Sequence, residues 1–485
     1  MSALPLESIL ARSNGAICAA SWSRFFQDNW NVRPSLTLNL GLRYEYFGAW
    51  YDPNENLTFF SFPNQQFVST DQIKQQGLPR SSYKVPKANI APRVGLAWRP
   101  FKDNKTVIRS GFGLFHMSHT QLYLLMGLNP NPEAGQRTWT ADLITPNLTL
   151  EDAFPTNVPG LGASSGNAVQ PDWETPYNMQ WSLFGERELP GNLSLEVGYI
   201  GTRGVKLEQA PNLNAALPGP GTIASRRLYP AIGNLNVSEP IGDSYYNALQ
   251  VNLQRKWRSG FSFKASYAWA KSLSDTDLGA FAFQGGSNTK YSPFNIAANR
   301  GPSEFDARHR FVVSYLYELP FGHGKKFMSG ASGILDGIIG GWQVNGVTLF
   351  QTGTPVDVSM GFDNAGTGGG GGDDRPNMVK DPNNGPKTIT QWFDTSAFVA
   401  GTPGAYGNSP RNPIRADGVK NFDFSLFKNF RITESQRLQF RAEAFNLFNT
   451  PQFDPPNTVF GTANFGKVFT AGDGRQVQLA LKYSF

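Results

Sequence analysis

Residues 36–46 read LTLNLGLRYEY, and this run decides how the rest of the chain is understood. Leu36, Leu38, Leu40, Leu42, Tyr44 and Tyr46 fall on one side of it; Thr37, Asn39, Gly41, Arg43 and Glu45 fall on the other. A period of two is the signature of a strand, whose successive side chains point to opposite faces. At the helical period the same leucines would scatter around the axis. Strands in soluble proteins run to about five or six residues. This one has the roughly nine to eleven that a tilted strand needs to cross a bilayer.

The pattern recurs along the chain. Tyr177, Met179, Trp181 and Leu183 alternate with polar residues, as do Leu193, Leu195, Val197 and Tyr199. Leu249, Val251 and Leu253 follow, then Phe261, Phe263, Ala265, Tyr267 and Trp269, then Phe311, Val313, Tyr315 and Tyr317. The last run is Val477, Leu479, Leu481, Tyr483 and Phe485. The opposing faces carry Glu196, Lys264, Arg441 and Glu443 near mid-strand. Such alternation fits an all-β, antiparallel transmembrane barrel of the outer-membrane type. Leu36, Leu38, Leu40, Leu42, Val477, Leu479 and Leu481 are expected to face lipid. Arg43, Glu45, Glu196, Lys264, Arg441 and Glu443 are expected to line the lumen, hydrated or paired across strands. Tyr44, Tyr46, Trp269, Tyr315, Tyr317 and Tyr483 lie near strand ends, where interfacial aromatic girdles sit.

Composition agrees. Aromatic residues make up 13% of the chain and charged residues only 16%, against about 25% charged in ordinary soluble domains. Mean hydropathy is −0.35, and no apolar run reaches the roughly 18 residues of a helical span. The 43 Lys and Arg against 37 Asp and Glu are scattered, without the basic stripe that a phosphate backbone demands, so nucleic acid is not an expected partner. The single cysteine, Cys18, excludes an internal disulfide.

Connections alternate in length. Short ones sit at Arg33–Pro34, Lys102–Lys105, Leu189–Asn192, Arg258–Gly260 and Ile432–Ser435. Long ones, rich in Pro, Gly and Asn, fill 48–90, 117–175, 204–243, 274–306, 354–417 and 450–474. Outer-membrane barrels pair short periplasmic turns with long extracellular loops in this way. One inner connection, 320–340, is longer and is expected to hold a helical turn at Gly333–Ile339. The runs number about thirteen, starting near Trp22–Asn31. Single-chain bacterial barrels normally have an even number of strands, so upstream strands are expected. Residues 1–20 make a poor signal peptide, because Glu7 and Arg12 interrupt the apolar stretch. They are read as a non-barrel segment, with the barrel at 21–485.

Several stretches resemble Oar-like TonB-dependent transporters: FFQDNW at 25–30 leading into 36–46, APRVGLAWRP at 91–100, DARHRFVVSY at 306–315, FRAEAFNLFN at 440–449 and the final strand ending LKYSF. The resemblance implies the C-terminal part of a larger barrel of about 22 strands, embedded in outer-membrane lipid. It also implies that Tyr483 and Phe485 form the signal read by the barrel-assembly machinery. The family's plug domain and TonB-engaging segment are not seen in this sequence, so a TonB partnership is expected only where a plug is supplied upstream.

Chemical motifs carry little. Gly162-Ala163-Ser164-Ser165-Gly166 has nucleophile-elbow spacing but lies in a loop rather than in a strand–turn–helix. His116 and His119 are three apart on a strand end, which points them to opposite faces and disfavours a shared metal. His309, between two arginines, is expected at the inner rim. Gly366–Gly371 is a glycine tract without a βαβ unit, and Asp373 and Asp374 beside it read as a solvated loop. No catalytic residue, cofactor or metal is expected. The reading is a non-enzymatic barrel for passage or binding of a bulky solute or peptide. Its rivals are a structural or adhesive surface protein that uses the long loops, and a secreted glycan-binding sandwich or propeller.

Overall fold

The computed structural model describes residues 9–10, 19–55, 57–118, 165–276, 293–368, 374–433 and 435–485. Thirteen long strands dominate it: β1 (Ala20–Arg33), β2 (Leu36–Phe47), β3 (Asn89–Trp98), β4 (Thr106–His116), β5 (Tyr177–Leu189), β6 (Leu193–Gln209), β7 (Leu235–Arg258), β8 (Phe261–Ser274), β9 (His309–Glu318), β10 (Trp342–Gln351), β11 (Val419–Arg431), β12 (Arg437–Phe445) and β13 (Gln476–Ser484). They form one sheet in sequence order, each antiparallel to the next. Up-and-down order is what tight turns at one end impose, because a two-residue hairpin can only join antiparallel neighbours. Ile9–Leu10, inside the segment read as lying outside the barrel, adds a two-residue rung against Ser21 and Ala20.

The register carries the alternation across the whole sheet. Leu38 lies opposite Leu96, and Leu40 opposite Val94. Val251 lies opposite Tyr267, Tyr315 opposite Gly346, and Phe440 opposite Leu481. These residues form one continuous oily face. On the other face Glu196 lies opposite Asn252, Lys264 opposite Ser314, and Glu443 opposite Gln478. A one-residue slip anywhere would invert this arrangement.

Glycines make room for rings on both faces. A Cβ on Gly201 would fall 2.1 Å from the Trp181 ring on the oily face, and one on Gly198 would fall 2.0 Å from the Phe184 ring on the other.

Among the described residues the sheet has two long edges, β13, which is unpaired on its outer side, and β1, which is paired there only by the Ile9–Leu10 rung. Leu479 is 68% exposed, and nearly every β13 residue is exposed on both faces. The short connections gather at one end and the long ones at the other, called here the outer end. The inner connection between β9 and β10 contains α2 (Gly333–Ile339), as the sequence predicted.

The long connections, although rich in Pro, Gly and Asn, carry ordered structure. Strands β6 and β7 extend to Gln209 and back from Leu235, well into 204–243. Beyond the bilayer no lipid enforces an oily face, so the alternation that marks a strand fades there while its hydrogen bonds continue. Residues 48–88 hold a small hairpin (Thr58–Ser61 with Gln66–Ser69) and α1 (Thr70–Gln75), whose first turn is closed by a Ser69–Gln72 capping box.

Candidate functional site: the barrel wall and its folded outer loops

The wall sorts its side chains by face. Leu40, Leu42, Val477, Leu479, Leu481 and Tyr483 are exposed, while Leu36, Leu38 and Tyr44 are half-buried among their oily neighbours. The predicted girdle residues fall into two groups: Tyr44, Tyr46 and Trp269 near the outer end, Tyr315, Tyr317 and Tyr483 near the inner end. Trp22 joins the outer group, its ring 5.1 Å from that of Tyr44. Asp28 breaks the pattern by standing on the oily face of edge strand β1, opposite Leu40. Charge on an exposed edge discourages unwanted strand pairing.

The polar face is a network rather than a set of isolated charges. Arg43 Nε donates to Glu45 at 2.9 Å, and its Nη2 donates to Ser23 at 3.2 Å. Asn252 donates to Glu196 at 3.0 Å, and Arg109 donates to Glu186 at 2.8 Å. Arg441 donates to Gln439 at 2.6 Å and lies 4.9 Å from the Phe427 ring centre. Aromatics on this polar face, Phe115 under Arg93 and Phe427 under Arg441, escape a reading based on alternation. Arg441 lies directly opposite Phe427, and Arg93 lies opposite Gly113, two positions along the strand from Phe115, so strand register rather than local sequence brings each ring to its Arg.

Three apolar clusters organise the outer loops. One joins Phe59, Val68, Ile73, Tyr83, Val169 and Trp173. A second joins Phe60, Ala168, Ile232, Leu235 and Val237. The third is built on Phe393, with Val358, Trp392, Phe398, Ile414 and Val468 around it. Phe393, Phe398 and Phe465 meet edge to face at 5.0 to 5.9 Å between centroids. Each cluster draws on more than one connection, so the loops support one another.

Buried polar groups tie these loops to the wall. Asp306, with its side chain 1% exposed, receives Arg415 at 2.5 Å and Arg308 at 3.5 Å. Its other oxygen accepts the Ser272 amide at 2.7 Å. Buried Arg411 donates to the carbonyls of Ser274, Thr276 and Asn299, binding 354–417 to the connection after β8. Arg375 pairs with Asp357 at 3.0 Å. Burial pushes the Asp374 carboxyl up to about 6, opposed by the Ala365 amide and reinforced by neighbouring Asp363. Burial also raises Asp275 and the Tyr83 phenol.

The structure departs from several sequence-based expectations. Asp374 is buried, not solvated, because its oxygen accepts the Ala365 amide at 2.6 Å inside the loop core. His309 is not at the inner rim. It opens β9 at the outer end, opposite Trp269 on the oily face, where Tyr267 lies 2.8 Å from its Nδ1. Ser165 accepts the Asn234 amide at 3.0 Å beside a parallel strand pair, with no helix after it. His116 stands on the oily face beside Tyr177. Cys18, His119, Gly162–Ser164 and Gly369–Asp373 lie outside the described residues. Among the described residues no three His, Cys, Asp or Glu side chains converge on a metal position.

A long-stranded sheet, oily on one face and polar on the other, with most of its long connections at one end, defines a membrane-spanning β-barrel wall. A family model described as the outer membrane beta barrel domain matches residues 9–478. The chain belongs to that family, and its place is the outer membrane. Among solved structures, the outer membrane transporter YddB from Escherichia coli is similar with a TM-score of 0.50 at 12% identity, over 96% of this chain and 45% of that one. The ferric enterobactin receptor PfeA from Pseudomonas aeruginosa gives 0.47 at 12% identity, over 96% and 45%. The siderophore receptor PiuA from Acinetobacter baumannii gives 0.45 at 11%, over 96% and 43%. The chain thus spans less than half the length of these proteins. No curated protein matches it significantly.

Proposed function

We propose that this chain is wall of an Oar-like, TonB-dependent type of transporter that passes a bulky solute or peptide, and that it is not an enzyme. The observation that carries the reading is the pair of sheet edges: among the described residues, β13 and most of β1 lack a partner, and such edges need further strands before a membrane tolerates them. YddB, whose length this wall covers by 45%, is named an outer membrane transporter, which supports passage across the membrane over adhesion. The polar network from Arg43 to Glu443 then faces the lumen, where it would contact a plug. The oily face from Leu36 to Leu481 contacts lipid, and Tyr483 with Phe485 serves assembly.

The test is to read the coding sequence upstream, express the chain joined to it, and probe for a photo-crosslink to TonB in cells. An in-frame plug and a crosslink are expected. An upstream sequence without a plug, together with no crosslink, would overturn the transporter reading.

A further inference from the structure

The connection from Leu319 to Gly341 is a self-tied unit at the inner end. The His323 amide donates to Asp336 at 2.6 Å, the Phe327 amide to Pro320 at 2.9 Å, and the Gly340 amide to the Asp336 carbonyl at 2.8 Å. With Asp336 engaged, α2 keeps no charged side chain on its free side. Ile334, Leu335 and Ile338 are exposed there, Ile334 by 84%. Phe321 and Phe327 are exposed too, their ring centroids 5.5 Å apart.

Register shows which side of the wall α2 occupies. Trp342 stands opposite Lys428, on the face shared by Val344, Leu426, Phe424 and Phe422. Gln343, Asn345, Asp423 and Asn421 make up the reverse face. Trp342 Nε1 donates to the Ile338 carbonyl at 2.9 Å. Lys428 Nζ donates to the carbonyls of Ile338 and Gly340. Two side chains of the oily face therefore hold the carbonyl end of α2, where a cation is favoured. The helix sits against the lipid side of the wall, below the inner aromatic belt. An amine flanked by the Trp342 and Phe430 rings has the make-up of a membrane-interface anchor.

We propose that α2, with Phe321 and Phe327, inserts as an interfacial anchor into the phospholipid of the inner leaflet of the outer membrane. The occupant is lipid because the apolar patch adjoins the lipid-contacting face of β10 and β11, the Lys428 amine at the junction being buried and spent on the α2 carbonyls, and because its exposed helical side chains are all aliphatic. The inference rests on membrane placement, not on transport, so it stands or falls separately from the proposed function.

The experiment uses the full chain in vesicles of phosphatidylethanolamine and phosphatidylglycerol. Cys18 is replaced by Ser, and single cysteines are introduced as Ile334→Cys, Ile338→Cys and, as a water-facing control on the β3–β4 connection, Lys102→Cys. Each is labelled with an environment-sensitive fluorophore, and circular dichroism confirms an unchanged strand signal. The expected result is blue-shifted emission at 334 and 338, strong quenching by nitroxide-bearing phospholipid, and iodide quenching severalfold weaker than at 102. Equal access of iodide to all three positions overturns the proposal. Protection from iodide without quenching by the nitroxide lipid overturns it as well, since it would mean that protein or a second copy covers the patch.

Discussion

Tyr315 lies across the sheet from Gly346, its ring filling the space that a side chain on the glycine would need. A Cβ at 346 would come within 2.5 Å of the tyrosine hydroxyl oxygen and 2.6 Å of Cζ. Gly346→Ala must push the ring toward the lipid. The expected cost is about 1–3 kcal/mol, the usual range for overpacking. Gly330→Ala, with no atom within 4 Å of its new Cβ, is the neutral control. Urea unfolding in vesicles checks both.

Face assignment makes a second prediction. Val94, near the middle of β3, lies between Leu40 and Phe112 on the oily face, with no acid directly opposite. Val94→Arg is expected to lose about 2–4 kcal/mol near the bilayer midplane, and Asn39→Arg on the polar face close to nothing. Leu40→Arg should cost less than Val94→Arg, because Asp28 stands opposite to receive the charge. Equal losses at 39 and 94 would contradict the faces.

Asp306→Asn removes the charge that gathers Arg415 and Arg308. Breaking a buried pair costs roughly 3–5 kcal/mol. The lower end applies here, since Arg415 stays 30% exposed and can rehydrate. The loss should be local: faster trypsin cleavage within 354–417, with the unfolding midpoint of the wall little changed.

The buried Asp374 makes that same loop sensitive to pH. Its folded-state value of about 6 lies above the ordinary unfolded carboxyl, so the folded loop binds the proton more tightly than the unfolded chain does. Stability is therefore greatest at low pH and falls as pH rises from about 4 through about 6, by about 3 kcal/mol in all. Asp374→Asn should abolish that slope. Hydrogen-exchange protection of the Ala365 amide, corrected for intrinsic rate, is the readout. A slope persisting in the variant would assign it to another group.

Phe485 is 93% exposed, so deleting it removes almost no burial. Purified, folded protein lacking Phe485 should melt like the parent, while the amount assembled in cells falls severalfold. Unchanged assembly would remove the sorting role.

What the sequence disclosed followed from where lipid enforces a pattern. Leu36 to Tyr46 could be read because a bilayer penalises any lapse in alternation, and the glycine-bounded turn at Gly333–Ile339 because its signals are local. The loop cores could not be read this way. Tyr83 meets Trp173 across ninety positions of chain, with ring centroids 6.3 Å apart, and Phe60 meets Tyr229 from still farther away. Nothing local announces such partners. The two arginines flanking His309 suggest a charged inner rim, whereas its register neighbour Trp269 sets it at the outer end. Glycines beside Asp374 suggest water, yet the carboxylate is buried and accepts the Ala365 amide.

The shared apolar clusters bear on how such a surface can diversify. Phe59 and Trp173 come from different connections but fill one cluster, so enlarging a residue in either loop displaces the other. Variation at the mouth of this barrel is therefore expected as matched exchanges between connections distant in sequence, and a loop transplanted singly into a homologous wall should arrive without the partner that shapes it.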